Sequence, residues 1–349
     1  VVTQPNGAGS RLSRLHRAQP LRRTEISSLA TYVPPRLLTN ADLEKMVDTT
    51  SEWIIQRTGI VQRHVVDPGV ATSDLGKEAA LKAIEQAGLA PDEIDLIVVG
   101  TTTPDMFFPS TACLIQHKIG AANAWGFDVA GACSGFNYAL SVASQLVATG
   151  CHDHALVVGA DVMSSIIDYQ DRATCVLFGD GAGAVVVSAA RDEDLSIIDF
   201  AHEIDGSGGV ALNMPAGGSL RPATAETVAE RLHYVKQDGQ AVFKFAVRKT
   251  EEICRTVLER NHFTSRDVDL FVSHQANRRI IESAATRLGL DSGKVIINIE
   301  MYGNTTAATI PIALDEARET GRLKKGDLVL LASVGAGFTV GSVLLRWGI

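Results

Sequence analysis

No apolar run in this chain reaches the roughly 18 residues that a helix crossing a bilayer requires; Ala155 to Ala160 and Asp327 to Ser333 both stop early. The expectation is a soluble protein with no membrane partner. Metal-ligand spacings of the C-x-x-C or H-E-x-x-H kind are also missing, so no structural metal is expected. The five cysteines, Cys113, Cys133, Cys151, Cys175 and Cys254, are odd in number and not closely paired. That argues against a disulfide framework and for a reducing compartment such as the cytoplasm. An excess of positive charge is missing too: 40 acidic against 32 basic residues leave a formal net charge of −8. General nucleic-acid binding is excluded on that ground, while a local basic patch remains open to an acidic partner. One stretch runs the other way. No Asp or Glu precedes Glu25, whereas Arg11, Arg14, Arg17, Arg22 and Arg23 do. Residues 1–23 read as a basic leader outside the fold: an organelle (plastid) transit peptide, a non-native leader or a solvated arm.

What is present is an ordinary globular composition, 46% hydrophobic and 21% charged over 349 residues, enough for a large core. Within it Cys133 stands out. Gly131-Ala132-Cys133-Ser134-Gly135-Phe136 places a thiol between a predicted strand, Trp125 to Ala130, and a largely apolar helix, Phe136 to Ala148. Unpaired backbone N–H groups and the positive end of the helix dipole at such a junction favour thiolate over thiol. Free cysteines are most often core residues, but the small neighbours of Cys133 leave room for a substrate. It is the candidate nucleophile.

The chain repeats a pattern. Thr72-Ser73 cap a helix with Leu75, Ala79 and Ala83 on one face and Gly88 after its end, and Asp95 to Gly100 reads as a buried strand. Val247 to Arg260 and Asp269 to His274 repeat that order. Each strand is followed by a helix (Thr111 to Ile119; Arg279 to Leu288) and a second strand (Gly126 to Ala130; Lys294 to Ile297). A special turn then leads into a further helix, with Cys133 in one unit and Gly303-Asn304-Thr305 in the other. Ala155 to Gly159 and Leu328 to Ala332 close the two units, so residues 24–195 and 196–349 read as two duplicated halves. Strands alternating with helices argue for parallel α/β sheets covered on both faces. If the halves pack about a pseudo-twofold axis, Cys133, Asn304 and His274 converge beyond the carboxyl ends of the strands, where ligands of such sheets bind. The glycine-rich segment Asp205 to Gly239 interrupts the pattern as a long loop or cap. Gly179, Gly181 and Ala184 fit a permissive dinucleotide fingerprint, but the run leads into the strand Val185-Val186-Val187 rather than a helix, so it is assigned to close backbone packing.

Several ordered motifs now fall together: Asp48-Thr49-Thr50-Ser51-Glu52-Trp53-Ile54 with Arg57-Thr58-Gly59-Ile60, Phe108-Pro109-Ser110, Ala132-Cys133-Ser134-Gly135-Phe136, Phe178-Gly179-Asp180-Gly181-Ala182-Gly183, Ser273-His274-Gln275-Ala276-Asn277 and Gly303-Asn304-Thr305. With them the chain from about Thr24 onward resembles the β-ketoacyl-acyl-carrier-protein synthase III family of the thiolase superfamily. The resemblance implies a duplicated αβαβα layered fold with two mixed or parallel five-stranded sheets. It also implies a decarboxylative condensation of a short acyl-coenzyme A, acetyl first among them, with malonyl-acyl carrier protein, the start of type II fatty-acid synthesis. Coenzyme A thioesters are substrates there, and no cofactor is implied.

By the same resemblance Cys133 takes the acyl group, and His274 with Asn304 handles the malonyl thioester. The backbone N–H groups of Cys133 and Ala336 form an oxyanion hole. Trp53 and Arg172 stack on the adenine, Arg57 and Arg279 meet phosphates, and Thr49, Phe243 and Asn277 line the pantetheine channel. Lys244, Arg279 and Arg287 form the patch for the acidic carrier protein, and Phe108 reaches the partner's acyl pocket in a homodimer. Departures from the family pattern are Gly335-Ala336-Gly337-Phe338, Gln237 and Val334, which leave the acyl-chain preference open. Two other readings stand beside this one: a related acyltransferase or secondary-metabolite ketosynthase, and a non-catalytic acyl-coenzyme A sensor on the same fold.

Overall fold

The computed structural model describes residues 21–349. Most of the expected leader, residues 1–20, lies outside the described residues. Arg22 is part of the body: its N–H donates to the Ala148 carbonyl, and its guanidinium to the Val147 and His152 carbonyls and the Asp153 carboxylate, at 2.7, 2.5 and 3.1 Å.

The first half runs β1 (Thr24–Tyr32), α1 (Thr72–Gln86), β2 (Leu96–Gly100), α2 (Thr111–Ile119), β3 (Trp125–Val129), α3 (Gly135–Ala148), β4 (His154–Asp161) and β5 (Gly181–Ala189). The second runs β6 (Ile197–Ile204), α4 (Gly239–Arg260), β7 (Leu270–Ser273), α5 (Arg278–Leu288), α6 (Thr309–Glu319), β8 (Leu328–Gly335) and β9 (Thr339–Arg346). The five-stranded sheet has the order β1-β5-β4-β2-β3, and the four-stranded sheet β6-β9-β8-β7. Three of the four pairings of the first sheet have counterparts in the second. β1/β5 and β5/β4 are antiparallel, as are β6/β9 and β9/β8; β4/β2 and β2/β3 are parallel, as is β8/β7. The second sheet keeps the place of a fifth strand only as a single parallel bridge from Phe271 to Val295.

Hydrophobic side chains set the layers. α3 buries Phe136, Ala139, Leu140, Ala143 and Val147, and α6 buries Ile310, Ala313, Leu314 and Ala317, each set spaced as one helical face. Both faces join residues of the two sheets in one cluster, so α3 and α6 form the central layer. α1 and α2 cover the outer face of the first sheet, α4 and α5 that of the second. β2 is buried at every residue, as a strand covered on both faces must be.

Three expectations change. Alternation of strands and helices argues for parallel pairing alone, but the sheets are mixed, one of the two forms the resemblance implies, since β1/β5, β5/β4 and their counterparts run antiparallel. The expected strand from Lys294 to Ile297 is reduced to the Val295 bridge. Thr72 and Ser73 lie inside α1, whose N-cap is Ala71, held by the Asp74 carboxylate at 3.0 Å. The Thr72 and Ser73 hydroxyls are drawn away to the Thr103 carbonyl and the Asp105 carboxylate. The Asp205–Gly239 segment is a cap with its own short helix, Ala225–Ala229, and a two-residue ladder of Leu212–Asn213 with Lys236–Gln237.

Candidate active site

Cys133 sits in a three-residue 3-10 turn, Ala132–Ser134, that runs directly into α3. Ala132 takes φ +48, a left-handed conformation that a residue other than glycine adopts at a cost of about 1–2 kcal/mol. Space around the turn is bounded by glycines. A Cβ on Gly335 would lie 2.7 Å from the Cys133 nitrogen, and one on Gly100 2.4 Å from the Gly135 carbonyl carbon.

Asn304 is held from two sides. Its N–H donates to the Leu177 carbonyl and its carbonyl accepts from Gly179 N–H, at 2.9 and 3.0 Å. This is the packing role of the glycine-rich run: Cβ atoms on Gly179 and Gly183 would lie 2.4 Å from the Tyr302 carbonyl oxygen and the Pro311 Cβ. Gly303 has φ +66 with little room beside it, which suits glycine. Asn304 Oδ1 accepts from Thr306 N–H at 2.9 Å, which leaves its Nδ2 amide for the cavity. Asn304 is thus both a turn residue and a cavity residue.

His274 follows β7 and is 4% exposed. Its Nδ1 lies 2.7 Å from Thr309 Oγ1 at the head of α6. Burial holds the imidazole well below its usual range, at about 3, so the ring is neutral at neutral pH. Burial, with the Asp161 charge second, pushes the Cys133 thiol up to about 12. Burial therefore works against the thiolate that the helix end favours.

Cys133, His274 and Asn304 line one cavity of about 250 Å³ with Trp53, Arg57, Phe243 and Asn277. Asn277 Nδ2 donates to the Arg57 carbonyl at 2.9 Å, tying the start of α5 to the short helix Ser51–Thr58. Arg172 lies over the Trp53 ring at 4.1 Å and Arg279 over Phe243 at 5.5 Å, so both arginines belong to the cavity's surroundings. A second, mostly apolar cavity of about 170 Å³ adjoins Cys133 and is lined by Thr102, Met163, Ile166, Met214, Val235 and Ala336 among others. Cys133, Phe178 and Leu212 belong to both cavities. A larger groove, about 560 Å³ beside Arg36, Asp67 and Tyr169, contains none of the candidate residues.

Thr49 does not line the cavity. Phe108 is 85% exposed. Lys244, Arg279 and Arg287 are all exposed, but Arg287 is engaged by Glu251 at 2.9 Å. Two residues with structural weight were missed. Asp161, fully buried, accepts hydrogen bonds from Thr101, Thr102, Thr103, Thr306 and Ala307. Thr309 supports His274. Neither stands in a motif that a sequence pattern would single out.

Two mixed sheets enclosing a central pair of helices, with a buried cysteine, imidazole and amide at one cavity, define a condensing enzyme of the thiolase fold. Comparison with known proteins narrows this. Residues 127–206 match the family described as 3-oxoacyl-[acyl-carrier-protein (ACP)] synthase III, and residues 258–347 match its C-terminal part. The β-ketoacyl-[acyl-carrier-protein] synthase III of Koribacter versatilis (strain Ellin345) is 57% identical over 94% of this chain and 98% of its own. The crystal structure of 3-oxoacyl-[acyl-carrier-protein] synthase III from Aquifex aeolicus VF5 superposes with a TM-score of 0.86 at 43% identity, covering 93% of this chain and all of that one. A priming β-ketosynthase from the R1128 polyketide pathway superposes at 0.88 with 36% identity, over 95% and 98% of the two chains. The chain belongs to the 3-oxoacyl-[acyl-carrier-protein] synthase III family.

Proposed function

We propose that the protein condenses a short acyl-coenzyme A with malonyl-acyl carrier protein, through an acyl-Cys133 intermediate, to start fatty-acid synthesis in the cytoplasm. The observation that carries this reading is the meeting of Cys133, His274 and Asn304 in one cavity whose other lining residues include Trp53 and Arg57. The Cys133 sulfur attacks the acyl thioester carbon, the carbon–sulfur bond to coenzyme A breaks, and the thiol proton leaves on the coenzyme A sulfur. The backbone N–H groups of Cys133 and Ala336 serve the oxyanion of that step. Malonyl thioester then loses carbon dioxide. The negative charge reaching its thioester oxygen is met by two neutral donors, His274 and the Asn304 amide, in a cavity that excludes most water. The resulting enolate attacks the acyl-Cys133 carbon and releases the sulfur as thiolate, which takes up a proton to restore the starting state.

Trp53 and Arg172 as an adenine platform, Arg57 and Arg279 for phosphates, and Thr49, Phe243 and Asn277 along the pantetheine arm complete the reading. Lys244 and Arg279 face the carrier protein; Arg287 does so only by exchanging Glu251 for a carboxylate of that partner. The 170 Å³ cavity suits a short primer. A second copy completing it with Phe108 accounts for the exposure of that ring, and residues 24–195 and 196–349 act as the two duplicated halves. A polyketide-priming role is the second reading, favoured by the R1128 likeness. The test is incubation with acetyl-coenzyme A followed by peptide mass spectrometry, then assay of carbon dioxide release from malonyl-carrier protein. Acetyl label on Cys133 and release of carbon dioxide are expected. Label on another cysteine, or binding without turnover, would sink the reading.

A further inference from the structure

The cap meets the body of the molecule along one wall of the apolar cavity beside Cys133. Val235 of the cap and Ile166, in the segment after β4, both line that cavity, and Val235 N–H donates to the Ile166 carbonyl at 3.0 Å. A second attachment lies close by in the chain. Asp168, two residues after Ile166, is 4% exposed, and Arg231, four residues before Val235, donates to both of its oxygens. The Nε contact is 2.8 Å long, and Nη2 takes the other oxygen. Gln170 N–H also donates to Oδ1 at 2.8 Å, whereas Lys236 Nζ stands 3.8 Å from Oδ2, outside hydrogen-bond reach. A two-pronged pair on a buried carboxylate fixes direction as well as distance.

Arg231 holds this place in a conformation its residue type resists. It follows the short helix Ala225–Ala229 with φ +57, and its N–H and that of Leu232 donate to the Val228 and Thr227 carbonyls. That is the left-handed helix ending which glycine usually fills, and any side chain there is strained. Glycine would make the same turn without strain, so the turn does not account for an arginine; the guanidinium on Asp168 does. We propose that Arg231 is a positioning residue that sets primer length: by gripping Asp168 it holds Val235 against Ile166 and keeps the acyl cavity narrow.

The inference deepens the condensing reading and rests on it, since it takes the 170 Å³ cavity as the seat of the acyl chain. Arg231 and Asp168 line neither cavity that opens on Cys133, so both act through Val235 and Ile166.

The test compares acetyl- and octanoyl-coenzyme A as primers for the wild-type protein and Arg231→Gly, following label on the Cys133 peptide by mass spectrometry. Glycine keeps the turn and removes the guanidinium. The octanoyl-to-acetyl ratio of loading rates should rise by about tenfold or more, with acetyl loading within about threefold of wild type. Arg231→Lys, which keeps the charge without the fork, should fall between the two. Asp168→Asn should raise the ratio as well, and Arg231→Gly should add at most about twofold in that background. An unchanged ratio in Arg231→Gly overturns the proposal, as does equal slowing of both primers or a full effect in the Asp168→Asn background. Should Arg231→Gly not fold, an unchanged ratio in Asp168→Asn overturns it equally. Methyl and octyl methanethiosulfonate place alkyl chains on Cys133 without coenzyme A and give the ratio independently. A wild-type Cys133 that takes no acyl group from either thioester counts against the condensing reading, while the alkyl ratio still decides the role of Arg231.

Discussion

The turn before α3 and the turn before α6 have nearly the same backbone and opposite uses. Ala132 and Thr306 take φ +48 and +49, each begins a three-residue 3-10 turn, and each turn feeds a helix of the central layer. The residue after the left-handed position is Cys133 in one and Ala307 in the other. In the second turn the polar groups are taken up internally: the Thr306 hydroxyl and Ala307 N–H both go to Asp161, and the Ala307 carbonyl packs where a Cβ on Gly159 would lie 2.4 Å away. No carboxylate hydrogen-bonds to the first turn among the described residues, and both cavities open on Cys133. One strained conformation therefore serves as a mount for a reactive atom in one half and as a scaffold in the other. The strain of about 1–2 kcal/mol is the same in kind at both; the hydrogen-bond partners differ.

The largest effects should come from breaking this division of labour. Cys133→Ser is expected to abolish acyl loading and lower turnover by about 10³-fold or more, because a buried hydroxyl is a far poorer nucleophile. Asn304→Ala should leave loading near its wild-type rate and lower condensation by about 10²–10³-fold, the usual cost of one oxyanion donor. Rapid-quench measurement of labelled Cys133 beside carbon dioxide release separates the two steps. Equal loss of both steps in Asn304→Ala would show that the second turn shapes the nucleophile as well.

This difference between the turns explains what could be read from the sequence. Cys133, His274 and Asn304 were legible because each follows a strand end or precedes a helix within a short run of small residues, a local signature. The layers were legible because both halves repeat one hydrophobic pattern. Long-range facts were not. The direction of the Cys133 shift depends on enclosure by distant segments, including Asp161. Asp161 gains its meaning from Thr306, 145 residues away, and Thr309 from His274, 35 residues away. Thr72 and Ser73 looked like caps because the pattern does not reveal that Thr103 and Asp105 compete for their hydroxyls. Lys294 to Ile297 has strand composition, but it meets β7 only at Phe271, which bridges Val295 and accepts Ile296 N–H at 3.0 Å.

A smaller effect should follow from loosening the scaffold turn alone. Asp161→Asn keeps the shape and replaces one acceptor oxygen with a donor amide facing donors. Thr102 and Thr103 N–H share one Asp161 oxygen at 2.7 and 3.1 Å, and Ala307 N–H uses the other at 3.2 Å, so one set or the other loses its acceptor. A loss of about 2–4 kcal/mol is expected in denaturant unfolding, the range for a disrupted buried charge network. Removing the Asp161 charge also lowers the Cys133 thiol from about 12, so alkylation of the folded variant should be faster at alkaline pH. Unchanged stability would mean that the second turn holds its conformation without the carboxylate.

The smallest effect compares the histidine of the cavity with one behind the nucleophile helix. His202, on β6, stacks on Phe200 and meets Ser141 of α3 at 2.8 Å through Nε2. Burial lowers it from 6.5 to about 4, and lowers His274 from 6.5 to about 3. In both cases the unfolded chain binds a proton that the folded one refuses, so stability is unaffected by these groups above pH 6.5 and falls as the pH drops below it. Each group contributes a slope of at most about 1.4 kcal/mol per pH unit, ending near pH 4 for His202 and near pH 3 for His274. Partial exposure of His202 makes its share the smaller one. His202→Gln should therefore flatten the wild-type stability curve only between pH 6.5 and 4, measured by urea unfolding at a series of pH values. The condensation rate should show no inflection near 6.5, since His274 stays neutral there. An inflection at that pH that survives in His202→Gln would place a protonated imidazole in the cavity and contradict the neutral donor on which the second half's role depends.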